Sequence, residues 1–224
     1  ATSTRPVAQA LRALAGGDAS VALVSAMHPA VLAYWLASPD PSDLVWQAQR
    51  SAVFASAAEG RQWGTITSEP GSGGDIAKTK AVAVADPDLD PFLEGAPHRV
   101  TGAKHFGSGS GIADRMMTTA VAEGEDKPTI FALDSSAGPG TTHFEMVGEW
   151  DGMGMRATQS HALHLRDAPA VRLATSRPLE EITAGAMPPV ESWFVAVVLG
   201  VLDEAVATAR AQLRDRADSL RPYE

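Results

Sequence analysis

Hydroxyl-bearing and glycine residues are concentrated in one segment, Trp63 to Asp75, which reads WGTITSEPGSGGD. Thr65, Ile66 and Thr67 are β-branched and favour extended backbone, whereas Pro70 cannot donate a ladder hydrogen bond and ends the strand. The three glycines that follow allow positive φ angles or a close approach of the backbone to a ligand. The segment therefore predicts a row of hydroxyls and exposed amides at a strand end, which suits a phosphate or the polar edge of a ring.

Two later segments give this loop a context. Val100 to Asp114 reads VTGAKHFGSGSGIAD, and Trp150 to Ser160 reads WDGMGMRATQS. In this order and spacing the three segments resemble the middle domain of the acyl-CoA dehydrogenase family, with its TEPGAGSD-like loop, NG-K-W-T-G-like hairpin and D-x-GMRAT-S-like strand. The resemblance covers most of the chain, from about Leu11 onward.

The resemblance implies an FAD site on the β domain. In the family, the first strand and loop contact the flavin ring with hydroxyl and backbone groups, and Thr65, Thr67 and Ser68 stand at those places here. Ser68 replaces the usual threonine, and either hydroxyl can donate a hydrogen bond. Gly74 stands where the family has a serine near the pyrophosphate or the thioester substrate, so a backbone contact to substrate is expected there.

The hairpin segment supplies further cofactor positions. Phe106 stands where the family has a tryptophan packed on the flavin, Ser108 where it has a threonine near N5, and Gly107 lies between them. The alternative for the first two is a core phenylalanine and a turn serine. Counting forward from Gly200, Arg216 falls where family members have an arginine that reaches a neighbouring subunit's FAD. Its alternative is a solvated arginine.

The catalytic base is expected to be a glutamate. The family's usual base lies late in the C-terminal bundle, and its alternative position lies on the helix after the barrel. Glu191 is the nearest candidate on that helix, but it misses the alternative position by one residue, where Val190 stands. One residue is a 100° turn on a helix, so Glu191 is a candidate whose orientation decides its role.

The implied reaction is α,β-dehydrogenation of an acyl-CoA thioester, with removal of the α-proton by a carboxylate and hydride transfer to flavin N5. Electron-transfer flavoprotein or oxygen would accept the electrons, and the assembly would be a homo- or hetero-oligomer, a dimer or a tetramer. Two alternatives stay open: a flavin-dependent monooxygenase on the same fold, and a non-catalytic partner subunit of a hetero-oligomeric acyl-CoA dehydrogenase. The first is favoured by the replacement of the hairpin tryptophan by Phe106.

The third segment is interpreted as a structural strand that links the barrel to the helices. Met153 and Met155 would fill the core there. Arg156 would form a buried ion pair, with Asp151 as its partner.

The surrounding elements predict an α+β fold with N-terminal helices, a central antiparallel β-barrel or sandwich, and an incomplete C-terminal helical bundle. Helices are expected over 4–15, 19–37 and 43–58, a hairpin over 98–106 with its turn at Thr101-Gly102, and a long helix from Pro188 to about Ala217. Two strands, 159–166 and 170–173, would end the β region. The domain division is 1–62, 63–175 and 176–224.

Composition excludes several other classes. The chain has 224 residues, a formal net charge of −9 and no cysteine. Without a basic stripe, nucleic-acid binding is not expected, and disulfide and thiolate chemistry are absent. His28 and Pro29 interrupt the apolar run over 19–37, so a buried helix is predicted rather than a membrane span. The odd spacing of His161 and His164 puts them on opposite faces of a strand, so no metal site is predicted. A cytoplasmic protein fits this composition.

Overall fold

The computed structural model of the protein describes residues 3–37, 42–135 and 142–217. Three helices precede a barrel of short strands and one long helix follows it, which confirms the predicted α+β class. The helices are α1 (Arg5–Gly17), α2 (Ala19–Ala37), α3 (Leu44–Ala58) and α4 (Leu179–Ala217). The strands are β1 (Trp63–Thr65), β2 (Val82–Ala85), β3 (Pro97–Gly107), β4 (Arg115–Ala122), β5 (Pro128–Asp134), β6 (Phe144–Val147) and β7 (His161–Arg172).

Helices α2 and α3 begin at acidic caps and bury apolar side chains. Asp18 accepts hydrogen bonds from the first amides of α2, and Asp43 does the same for α3. On length and composition alone α2 and α4 could cross a membrane, but half of the apolar stretch of α2 is buried within the protein. Trp35 of α2 packs edge-on against Trp63 of β1, with ring centroids 5.6 Å apart. This contact joins the helices to the barrel.

Five of the described strands close the barrel in the order β4, β2, β3, β7, β5, and β5 pairs back with β4. Most neighbours are antiparallel, as predicted, but β1 and β2 both run parallel to β4. Large apolar side chains fill the interior, among them Ile66, Phe131, Leu133, Leu163 and Leu165. A second core, which includes Trp35, Trp63 and Met117, lies between the barrel and the helices.

The segment over 98–106 is not a hairpin, so that prediction is wrong. It forms the middle of β3, which pairs with β2 on one side and with β7 on the other. Gly102 allows the backbones of two segments to lie close together and does not form a turn. A Cβ at this position would lie 2.6 Å from the Cβ of Ala81. The register shifts between Val100 and Gly102, so the strand bends at this point without reversing.

Two further boundaries differ from prediction. The expected break in the last strand is absent, and β7 runs continuously from His161 to Arg172. Helix α4 begins at Leu179 rather than at Pro188, and both Pro188 and Pro189 lie inside it. The segment ahead of the prolines is helical because it buries Ile182 completely in the helix-side core.

Candidate functional site

The hydroxyl-rich segment leaves β1 with alternate residues on opposite sides. Ile66 is fully buried in the barrel, where its amide donates to the Met117 carbonyl (2.8 Å) and its carbonyl accepts from the Thr118 hydroxyl (2.6 Å). Thr65 and Thr67 therefore project to the other side, toward the helices. Both line a cavity of about 360 Å³.

This helix-side cavity lies between the loop after β1 and helices α2 and α4. Gly74 and Asp75 contribute to its wall from the loop, and Tyr34 does so from α2. The hydroxyl of Thr183 on α4 is buried and has no partner among the described residues, so it is available to a bound molecule. The remaining lining is apolar: Ala30, Ile76, Met117, Met187, Val190 and Phe194.

The glycine loop has the backbone freedom that the sequence indicates. Gly73 and Gly74 have φ angles of 64° and 84°, which side chains of L-residues rarely adopt. Nothing lies within 4 Å of where their Cβ atoms would be, so the space beside the loop is open. Within the described part of the chain, the hydroxyls of Thr67 and Ser68 make no hydrogen bond.

The loop and the end of β3 are joined at Ser68. The amide of His105 donates to the Ser68 carbonyl at 2.8 Å, and the two residues form an isolated bridge. The next residue, Phe106, has a φ of 56° and is 63% exposed. Its ring meets the edge of Trp150, with centroids 6.3 Å apart. The structure thus brings a free serine hydroxyl and an exposed aromatic ring to neighbouring positions.

Gly107 and Ser108, which follow Phe106, are buried. A Cβ at Gly107 would lie 2.6 Å from the Ile66 side chain, so the position admits only glycine without a shift. Ser108 is buried, and its hydroxyl bonds to that of Ser160 at 2.9 Å. Its hydroxyl is therefore already paired, unlike those of Thr67 and Ser68.

The segment from Trp150 to Ser160 is not a strand, which corrects the prediction. It forms a loop with a short 3₁₀ turn, Arg156–Thr158, because Met155 takes a left-handed conformation before that turn. Arg156 does pair with Asp151, but both side chains are exposed rather than buried. Met155 packs against the core, whereas Met153 is fully exposed. With Phe106 and Trp150, this loop lines a second cavity of about 420 Å³.

The other predicted site residues lie apart from these cavities. Glu191 is exposed and does not line the helix-side cavity, whereas its neighbour Val190 is buried against it. The 100° offset on the helix accounts for this difference. Arg216 lies exposed near the end of α4. Asp75 is at the helix-side cavity, but its carboxylate caps the 3₁₀ helix that follows and pairs with Lys78.

Sequence reasoning missed an ion pair beneath the site. Lys104 has no exposed surface and its ammonium lies 2.6 Å from the carboxylate of Glu69, which is itself buried. The sequence contains an indication of this pair. Side chains alternate between the two faces of a strand, so Lys104, four residues after Val100, faces the barrel interior as Val100 does. A lysine at such a position requires a buried partner.

Burial and hydrogen bonding act in opposite directions on the pKa of each partner in this pair. Burial raises the pKa of Glu69, but hydrogen bonds from Lys104, Thr79 and the Lys80 amide outweigh it, so the pKa lies below its ordinary value. Burial lowers the pKa of Lys104, and the neighbouring carboxylate opposes that change. Among the described residues, no group of histidine and carboxylate side chains is arranged to hold a metal ion.

Comparison with known proteins shows the fold. No family model and no curated protein match the sequence. The structure is similar to FMN-bound TdsC from Paenibacillus sp. A11-2 (TM-score 0.72, 22% identity, 93% of this chain and 51% of that one). It is also similar to butyryl-CoA dehydrogenase from Megasphaera elsdenii (0.70, 21%, 90% and 50%). A third neighbour is methanesulfinate monooxygenase MsuC from Pseudomonas fluorescens (0.65, 22%, 94% and 49%).

These likenesses establish that the chain has the acyl-CoA dehydrogenase fold, as the sequence resemblance predicted. The chain spans about half the length of the solved structures that it matches. At these identities the shared property is the fold alone.

Proposed function

We propose that the protein is a flavin-dependent oxidoreductase whose cofactor lies against Thr67, Ser68 and Phe106. The observation that carries the proposal is the exposed Phe106 ring next to His105, where its strand is bridged to the segment whose two hydroxyls, of Thr67 and Ser68, have no partner among the described residues. An aromatic face and adjacent polar donors match a flavin, which has a flat ring and a polar edge. The open space beside Gly73 and Gly74 leaves room for the rest of the cofactor.

When bound, a flavin accepts or donates hydride, and in its reduced form it reacts with dioxygen. The residues of this chain bind, orient and shield. Thr67 and Ser68 would donate hydrogen bonds to the polar edge of the ring, and Phe106 would cover one face. The apolar wall of the helix-side cavity would exclude water from the substrate.

We infer that the substrate binds in the helix-side cavity and that the reaction is a monooxygenation. Helix α4 presents Met187, Val190 and Phe194 to this cavity, while Glu191 faces away from it. Asp75, the carboxylate that reaches the cavity from the described residues, already caps a helix. A monooxygenase needs no carboxylate base, so this lining suits it. TdsC, a protein of similar fold, is described as a dibenzothiophene monooxygenase, which also favours this reaction.

The second candidate is the α,β-dehydrogenation of an acyl-CoA. It is favoured by the apolar cavity beside Gly74 and by the likeness to butyryl-CoA dehydrogenase. This reaction requires a base from outside the described residues. The sequence resemblance implies FAD, whereas TdsC was solved with FMN, so both cofactors belong in the test.

The first experiment tests the cofactor. Purified full-length protein should carry or take up a flavin, seen as a visible absorption spectrum, and denaturation should release it for identification as FAD or FMN. A colourless protein that takes up neither compound would show the proposal to be wrong.

The second experiment separates the two reactions. Anaerobic titration of the flavin-loaded protein with a panel of acyl-CoAs should leave the flavin absorption unchanged if the protein is a monooxygenase. Oxygen consumption should then require an external reductant. Bleaching of the flavin by any acyl-CoA would instead establish the dehydrogenase.

Helix α4 supports a proposal about assembly. Its residues Val198, Leu202 and Val206 are 56%, 53% and 48% exposed and form an apolar face. Folded proteins rarely leave such a face uncovered. We propose that it packs against a second protomer, in a dimer or tetramer.

A further inference from the structure

Lys104 is anchored inside the barrel by every donor that it has. Its ammonium group donates to the Glu69 carboxylate at 2.6 Å, to the Thr119 carbonyl at 2.7 Å and to the Thr79 hydroxyl at 3.1 Å. A lysine has three donors, so none is left over. These partners come from the glycine loop, from β4 and from the segment before β2.

The Glu69 carboxylate also has all of its hydrogen-bond partners inside the protein. Its carboxylate accepts from the amides of Lys80 (2.6 Å) and Ala81 (3.2 Å), from the Thr79 hydroxyl and from Lys104. The side chain is therefore fixed in one orientation, and so is the backbone that carries it. Removal of either charge would leave several buried polar atoms without a partner.

Stability alone does not explain such a pair. The transfer of two charges from water to a protein interior costs free energy that their attraction only partly returns, and apolar replacements of similar volume are often as stable. The pair does, however, have a notable location. Glu69 directly follows Ser68, and Lys104 lies two residues before Phe106.

We propose that the Glu69–Lys104 pair positions Ser68 and Phe106 relative to each other, so that the hydroxyl and the ring meet the flavin together. The inference rests on the proposed function. The two segments touch at the hydrogen bond from the His105 amide to the Ser68 carbonyl. The pair joins the two segments inside the barrel, where both of its side chains are buried. Phe106, two residues after Lys104, has an exposed ring and a left-handed backbone conformation. Both residues are positioning residues and do not touch the cofactor themselves.

The test uses the full-length protein with three altered forms: Lys104→Met, Glu69→Gln, and the double variant Glu69→Leu with Lys104→Met. Leu165→Ala is the matched control, because Leu165 is buried in the same barrel core and its apolar side chain offers no hydrogen bond to the pair. The measurements are the melting temperature, the dissociation constant for added FAD or FMN, and hydrogen exchange of the His105 amide in the flavin-free protein.

Both single variants should bind flavin about tenfold more weakly, because a displaced Ser68 hydroxyl and Phe106 ring would each lose part of their contact with the cofactor. Leu165→Ala should lower the melting temperature with little change in that constant. The double variant should regain much of the melting temperature, because no charge is left unpaired, but should still bind flavin weakly and exchange the His105 amide quickly.

The proposal is overturned if flavin affinity follows the melting temperature in all four variants, or if the double variant binds as the unaltered protein does. If the unaltered protein binds no flavin, the proposed function fails. The exchange measurement then decides the positioning role alone: faster His105 exchange in the single variants than in Leu165→Ala at equal melting temperature supports it, and equal exchange refutes it.

Discussion

Phe106 combines an unfavourable backbone conformation with an exposed ring, so substitution there separates folding from flavin binding. Its φ of 56° lies in the left-handed region, which costs a residue with a Cβ about 1–2 kcal/mol. Phe106→Gly removes that cost, whereas Phe106→Ala keeps it, and both remove the ring. The flavin-free glycine variant should therefore be more stable than the alanine variant by about 1 kcal/mol, even though glycine has the more flexible unfolded chain.

The effect on flavin binding follows from the exposed area. Phe106 is 63% exposed, which for a side chain of about 200 Å² leaves roughly 125 Å² to be covered. At about 25 cal/mol per Å², full cover by the flavin is worth about 3 kcal/mol and half cover about 1.5 kcal/mol. Loss of the ring should thus weaken flavin binding by about 10- to 100-fold, and by the same factor in the alanine and glycine variants.

Two measurements are made on each variant, one of stability and one of flavin binding. Urea unfolding of the flavin-free variants gives the difference in free energy of unfolding, and a flavin fluorescence titration gives the dissociation constant. Phe106→Trp is the control, because it keeps an aromatic face and should retain affinity. If the glycine variant binds flavin as the unaltered protein does, the ring does not cover the cofactor. If it is no more stable than the alanine variant, the argument from backbone strain is wrong.

Three further predictions concern the supporting elements. Burial holds the pKa of His28 below the ordinary 6.5, so its neutral form adds stability above about pH 6.5 that is lost as the pH falls through the folded-state pKa. His28→Gln should flatten the melting-temperature profile in that range, and an unchanged profile would contradict this. Gly200→Ala would push a Cβ into the α1 backbone and should cost about 1–3 kcal/mol of stability, whereas Gly17→Ala, which has open space, should cost nothing. Arg216→Ala should weaken flavin retention in the oligomer by about 1.5–3 kcal/mol and Arg214→Ala should not; equal affinities would identify Arg216 as a surface charge.

Features that depend on neighbours along the chain were predictable. Asp18 and Asp43 cap helices through amides two or three residues ahead, and the predicted starts of α2 and α3 agree with the structure to within one residue. The hydroxyl and glycine pattern after Trp63 likewise predicted a strand that ends in an open loop, as found. The order of helix, barrel and helix followed from the change in hydrophobic period.

Features that depend on contacts between residues far apart in the sequence were not predictable from local patterns. Local sequence predicts a turn at Gly102, and it does not reveal the close approach to Ala81, since that contact exists only once β2 and β3 pair. The local sequence places Glu69 only at a strand end before Pro70, since its partner Lys104 lies 35 positions away. Arg156 found its expected partner, but whether a local ion pair is buried depends on what packs over it, which local pattern does not reveal.

The register of β1 links these long-range contacts to the proposed chemistry. Its parallel pairing with β4 points Ile66 into the barrel and leaves Thr65 and Thr67 on the cavity side. A slip of one residue would bury both hydroxyls and turn an isoleucine toward the ligand. Trp63 prevents that slip, because its amide donates to His28 at 3.1 Å and its indole to Ser56 at 3.0 Å. The N-terminal helices thus set which side chains the barrel presents, although the polar groups proposed to bind the flavin come from the barrel segments.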